Sequence, residues 1–195
     1  MKIELNENNY LTGNYTTVGG GKDWVEVDNL PIFTDDKNFS NKIICYKYVD
    51  GEFTFDEEKY NEAKLNRISE ELNFKKKTLI AQSKEKLADY LSNHTITSSC
   101  HGEVAEYSIT SEKQSHLSNM IVAAQMAQTT GVDYSPSWNA TGQKSTDDWT
   151  LAQLQQLLFE IEAVVRPLVS KQQAIELQLS SAETIEELES IEITF

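Results

Sequence analysis

Along the last third of the chain the apolar positions fall at Leu151, Leu154, Leu158, Ile161, Val165, Leu168, Ile175 and Leu179. Steps of three and four alternate through this stretch, with Gln172 as its one polar entry. That is a heptad seam with 151, 158, 165, 172 and 179 at a positions, and it predicts a long helix. Leu157 and Val164 widen the stripe ahead of Pro167, whereas Lys171 and Gln178 hold the same heptad places after it. The part up to Pro167 is therefore expected to form the spine of a domain core. The remainder, with Leu168, Gln172, Ile175 and Leu179, is a candidate assembly face, because a polar a position can fix register or oligomer state. Pro167 cannot bond the carbonyl of Ala163 and is expected to kink the helix.

The first 55 residues pattern differently. Lys2–Leu5, Tyr10–Val18 and Trp24–Val27 are strand-like, separated by the polar turn Asn6–Asn9 and by the break Gly19-Gly20-Gly21. Asp28-Asn29-Leu30-Pro31 reads as a turn and Thr34–Asn41 as a polar loop. Ile43–Val49 and Glu52–Phe55 flank Asp50-Gly51, a pair that tolerates positive φ at both positions and so predicts a two-residue hairpin. Asp56 then reads as an N-cap, followed by Glu57 and Glu58 where the helix dipole favours acids.

From Asp56 to about Ser92 neither Gly nor Pro intervenes, which predicts a helix about 50 Å long at about 1.5 Å per residue. Leu65, Leu72 and Leu79 share one heptad track and Ile68 lies beside it, but Lys75, Gln82 and Asp89 interrupt the companion track. Leu65, Ile68, Leu72 and Leu79 are accordingly candidate interface residues of a spacer or an imperfectly self-associating stalk.

Thr95–Ser99 reads as a polar junction and Glu103–Ile109 as a strand. Ser111 is expected to cap a helix to about Gln128, closed by Gly131. Tyr134–Gln143 reads as an extended arm, Ser145–Asp148 as the start of the heptad helix, and Ala182–Ser190 as a short final helix. The fold class is α+β: a small N-terminal β region (1–55), a long connecting helix (56–94) and a helix-rich C-terminal α+β domain (95–195).

Charge sharpens this division. The net charge is -14. Residues 56–94 carry eight basic and eight acidic residues, whereas residues 95–195 carry four against fourteen. An acidic half repels phosphate backbones, so no nucleic-acid partner is expected. No apolar run approaches the ~18 residues of a membrane span, and no secretory leader opens the chain. Cys45 and Cys100 are far apart and read as buried thiols ahead of a single bridge between them. Four N-x-S/T triplets, at Asn14, Asn38, Asn93 and Asn139, are expected by chance in an Asn- and Thr-rich chain.

Candidate chemistry is thin. His94, Cys100, His101 and His116 lack the paired ligand spacing of a zinc site, and the adjacent Cys100 and His101 point apart in an extended chain. The acidic pairs Asp35-Asp36, Glu57-Glu58, Asp147-Asp148 and Glu186-Glu187 lie mostly at helix starts, where dipole complementation accounts for them. The acid–tryptophan adjacency Asp148-Trp149 is a weak pointer to carbohydrate cleavage. Gly19–Lys22 lacks phosphate-loop spacing and reads as a hinge, and Lys75-Lys76-Lys77 as a solvated helix face. No catalytic residue, metal or cofactor is expected.

Two stretches carry a family resemblance. MKIELNENNYLTGNY with YKYVDGEFTFDEEKYNEAK is similar to the N-terminal part of small phage tail-module proteins. SEKQSHLSNMIVAAQMA, VDYSPSWNATGQKSTDDWTLAQLQQLL and SSAETIEELESIEI resemble an uncharacterised domain of the same proteins. The resemblance implies a non-enzymatic component of a phage tail or tail-like particle, associated with a fibre or baseplate and made in the bacterial cytoplasm. It implies other tail or fibre proteins as partners, a homo-oligomer taken as a trimer, and a bacterial surface receptor. A fibre-assembly chaperone is the alternative, and a cell-wall carbohydrate enzyme using Asp147 and Asp148 comes third.

Overall fold

The computed structural model describes residues 1–21, 24–30 and 42–195; the expected loop Thr34–Asn41, with Asp35-Asp36, and Lys22 of the glycine run lie outside them. The fold is mixed α+β: a small N-terminal β region, a 37-residue helix, and a helical C-terminal region with a strand pair. The chain divides into two compact units, Met1–Asn73 and Phe74–Phe195. The division falls inside the long helix, not at its ends.

In the first unit β1 (Lys2–Leu5) is the central strand, paired antiparallel with β2 (Leu11–Thr16) and β3 (Trp24–Glu26). The connection from β1 to β2 is closed by Asn6, whose Oδ1 accepts from the backbone N–H of Asn8 and Tyr10, both at 3.0 Å. Such side-chain mimicry of a backbone turn is why Asn starts the loop. At the glycine run the backbone passes Trp24 closely: a Cβ on Gly20, whose φ is +109°, would lie 3.3 Å from the indole. Gly20 and Gly21 thus pack against the ring, while a Cβ on Gly19 would meet open space.

The hairpin β4 (Tyr46–Val49) and β5 (Glu52–Phe55) turns through Asp50 and Gly51 at φ 52° and 90°, as the dipeptide predicts. Directly opposite residues put Tyr46 on Phe55 and Tyr48 on Phe53, with ring centroids 5.0 and 4.7 Å apart. Such cross-strand aromatic pairs stabilise a two-stranded ribbon that is marginal alone. A bridge at Tyr10 and Lys47 links the hairpin to the start of β2. Ile3, Leu11, Val27 and Ile43 form the buried centre. Strand β4 begins three residues later than expected because Ile43 and Cys45 are buried in the turn before it.

The long helix α1 (Glu57–Asn93) starts on Asp56, whose Oδ1 accepts from the Lys59 N–H at 2.9 Å. Its residues 74–93 belong to the second unit, where β6 (Thr95–Ser98) pairs antiparallel with β7 (Ala105–Ser108). Thr95–Ser99 is thus a strand and not a junction. Its alternation is real, with Ile96 and Ser98 buried and Thr95 and Thr97 exposed, but hydroxyl residues hide it from a hydropathy reading.

Helix α2 (Ser111–Thr130) is capped by Thr110, one residue before the expected Ser111, and closed by Gly131 at φ 72°. Helix α3 (Leu151–Ser181) starts at Thr150 with a capping box to Gln153. Ser145–Asp148 therefore precede the helix, and Asp147 and Asp148 are outside its first turn. The segment 134–143 forms no strand; Trp138 makes a single bridge to Thr146. The last helix, α4 (Ile185–Ser190), is shorter than expected and capped by Thr184. Helix α3 runs on through Pro167. Leu91, Ile96, Tyr107, Leu117, Ile121, Trp138, Trp149, Leu154, Leu157 and Ile161 build the core of this unit.

Candidate assembly interface

Helix α1 has two different lengths of surface. Up to Asn73 it presents Leu65 (67% exposed) and Ile68 (49% exposed) on one face, with Leu72 half-buried next in the same track. At spacings of three and four these residues form one stripe. An exposed Leu is ordinary on a protein surface, but a contiguous stripe on a helix is the kind of surface that a partner helix covers.

Beyond Phe74 the helix is held. Lys75 pairs with Glu189, and Lys76 Nζ donates to the Ser180 carbonyl at 2.9 Å. Lys84 lies 3.3 Å from Glu176, and Lys86 Nζ donates to the Ile193 carbonyl at 2.9 Å. Lys75, Lys76, Lys84 and Lys86 thus clamp the C-terminal segment, and for the first two the sequence reads as a solvated face. Lys75 interrupts the heptad because its partner is an acid.

The polar seam position is used in the same place. Gln172 Nε2 donates to Ser83 Oγ at 3.1 Å and to Glu176 Oε2 at 3.1 Å, and Ser83 Oγ donates to the Ile80 carbonyl at 2.8 Å. Ser83 and Gln172 are both buried. The Gln172 amide, then Lys84, hold the Glu176 carboxyl below the usual carboxylate range. Gln172 therefore sets register between α3 and α1 of one chain, and Ile175 and Leu179 are buried with it. Of the eight candidate interface residues, Gln172, Ile175 and Leu179 are covered within the chain. Leu72, Leu79 and Leu168 are half-buried, and Leu65 and Ile68 stand open.

A second feature lies in the second unit. A cleft of about 300 Å³ is lined by His101, Glu103, Tyr107, Trp138, Gln143 and Trp149 among others. The His101 ring stacks on Trp149 at 4.2 Å and an interplanar angle of 6°, and its Nε2 is 3.4 Å from Asp148 Oδ1. The Thr146 hydroxyl, ahead of His101 itself, holds the Asp148 carboxyl low. A carboxylate-oriented imidazole is half of a general-base arrangement. The neighbouring thiol does not supply the other half: Cys100 is buried beside Tyr107, whose phenol burial pushes up to about 12. Trp138 and Trp149 are 6% and 4% exposed, which makes them core residues and leaves little ring surface for a sugar. His94 instead stacks on Tyr90 at 3.9 Å, and His116 is exposed on α2. Among the described residues no group of three His, Cys, Asp or Glu is placed to hold a metal ion. Nor is any helix among them long and apolar enough to cross a membrane.

In the first unit the Tyr10 hydroxyl donates to Asp56 Oδ2, and the Lys59 ammonium lies 3.3 Å from the Tyr10 ring centroid. The bond to Asp56 raises the Tyr10 phenol, while the Lys59 N–H and then Tyr10 lower the Asp56 carboxyl. This node ties the start of α1 to the beginning of β2.

Residues 1–64 match a family described as "Protein of unknown function (DUF2977)", a span that takes in most of the first unit and ends within α1. No curated protein and no solved structure matches the chain.

Proposed function

We propose that the chain is a non-enzymatic structural component of a phage tail or tail-like particle, associated with a fibre or the baseplate. In this reading it joins other tail proteins, assembles with copies of itself, and links the particle to an element that meets the bacterial surface. The observation that carries the reading is the open Leu65–Ile68 stripe on a helix whose later length is tied to the C-terminal segment by Lys76 and Lys86. A surface of this kind serves assembly, and it stands together with the resemblance of both chain halves to tail-module proteins. The matched family spans the part of the chain that carries the β region and the start of this helix, which fits a docking module.

The test is mass spectrometry of purified particles from cells that express the wild-type chain or its Leu65→Asp, Ile68→Asp variant. The wild type is expected in mature particles and the variant is expected to be lost from them. A chain that acts during assembly and is absent from mature particles is a fibre chaperone, which would replace this reading.

A further inference from the structure

We propose that residues 57–73 of α1 pair with the same stretch of a second copy, antiparallel, about a two-fold axis. The inference rests on reading the Leu65–Ile68 stripe as an assembly surface, but not on the particle to which the chain belongs.

Heptad places follow from the stripe: Glu58, Leu65 and Leu72 at a, and Asn61 and Ile68 at d. Glu57, Lys64 and Glu71 then fall at g, and Glu62 and Ser69 at e. A parallel bundle of any order brings a against a and g against the following e of the neighbour. In a pair it would set Glu58 beside Glu58 and each Glu57 beside the partner's Glu62, six acids at the mouth of a short seam. Like charges so placed oppose association. Lys64 would meet only Ser69.

The antiparallel pair removes each conflict. Layers form between a and d places, so Leu65 lies on the partner's Ile68 twice, with Leu72 next to the partner's Asn61 on either side. Flanking contacts are then g with g and e with e. Lys64 meets the partner's Glu71 twice, and Glu62 meets Ser69. The axis passes between residues 66 and 67, and one surface patch serves both copies, as closed two-fold symmetry requires. Lys64 and Glu71 are exposed and flank the apolar stripe on its g side. Charge complementarity thus selects both the occupant and its direction. The threefold assembly expected by resemblance to fibres gives way to a pair.

Sedimentation equilibrium of the full chain at high concentration tests this, with circular dichroism as the control for folding. The wild type is expected as a monomer–dimer equilibrium. Leu65→Asp with Ile68→Asp should abolish the dimer without loss of helix. Lys64→Glu or Glu71→Lys alone should weaken it by roughly tenfold, since two attractive contacts become repulsive. The double swap Lys64→Glu, Glu71→Lys should return it to within about threefold of wild type by the same arithmetic. Four results overturn the proposal: a monomer at every concentration, a trimer, a dimer that survives the aspartates, or a double swap no better than its parts. A monomeric chain that still enters particles would sink this pairing and leave the proposed function standing.

Discussion

From Glu57 to Asn73 and from Phe74 to Asn93 the same helix is packed to different degrees. The first stretch exposes Leu65 and Ile68 and fully buries none of its residues; the second exposes Phe74 at its start but buries Leu91 and even the hydroxyl of Ser83. Neither length is hydrophobic enough to dictate this by composition, since acids and bases balance across the helix. What differs is the partner. The second stretch has α3 and the C-terminal residues of its own chain, which supply Gln172, Glu176 and Glu189 to its polar positions. Helical stability in proteins comes mostly from tertiary packing, so a length that leaves an apolar stripe open is where an outside partner can add most.

The sharpest way to break the comparison is one substitution made at both ends. Leu91→Ala should cost about 2–4 kcal/mol in denaturant unfolding, as a buried large-to-small change does. Leu65→Ala should stay within about 0.5 kcal/mol in dilute solution, as an exposed change does. Equal costs would mean that the two lengths of α1 do not differ in the way described.

A smaller effect belongs to the buried amide. Gln172→Ala should cost about 1–3 kcal/mol by removing the donor that Ser83 accepts from in a buried setting. Replacing both partners, Ser83→Ala with Gln172→Leu, should recover most of that loss, since matched apolar groups leave nothing unsatisfied. A double variant as unstable as Gln172→Ala would show that the node is not a polar pair.

The first unit should respond to pH at both extremes. Asp56 titrates below its ordinary value, so its contribution is present above the usual carboxylate range and lost as pH falls through the lowered value. Tyr10 titrates above its ordinary value, so its contribution holds below the usual phenol range and is lost as pH rises through the raised one. Fluorescence-detected unfolding of Asp56→Asn should lose the acid limb at Trp24 and keep that of the second unit. An unchanged acid limb would exclude the Tyr10–Asp56 bond as its source.

The smallest expected change is at the clamp's surface. Lys84→Ala should cost under about 0.5 kcal/mol and less still in high salt, because exposed ion pairs contribute little. Lys84 is 58% exposed at its side chain and Glu176 34%. A cost above that of Gln172→Ala would move the weight of the clamp from the amide to the charge.

The α+β fold, the Asp50-Gly51 hairpin, the Asp56 cap and the heptad helix were legible because each rests on local chemistry: positive φ, a side-chain acceptor, a 3.5-residue period. What stayed hidden was long-range. Strand β6 is built from Thr and Ser, whose buried faces depend on β7 and the core behind it. Gln172 reads equally well as an intermolecular register residue, and only the approach of Ser83, 89 positions away, makes it internal. Lys75 and Lys76 look solvated until residues 180–189 arrive beside them. The open Leu65 and Ile68 were found because a heptad needs no knowledge of the rest of the chain.

The two cysteines, described above as core residues, also equip the molecule for its own dissection. Cys45 lies wholly inside the first unit and Cys100 is 6% exposed inside the second. Burial further raises the Cys45 thiol, which keeps it from the reactive thiolate form. Alkylation of either sulfur must therefore wait for the surrounding unit to open. Labelling rates at the two positions in the native protein read two separate opening equilibria without any mutation. A ligand or partner that steadies one unit would announce itself as slower modification of that unit's thiol alone.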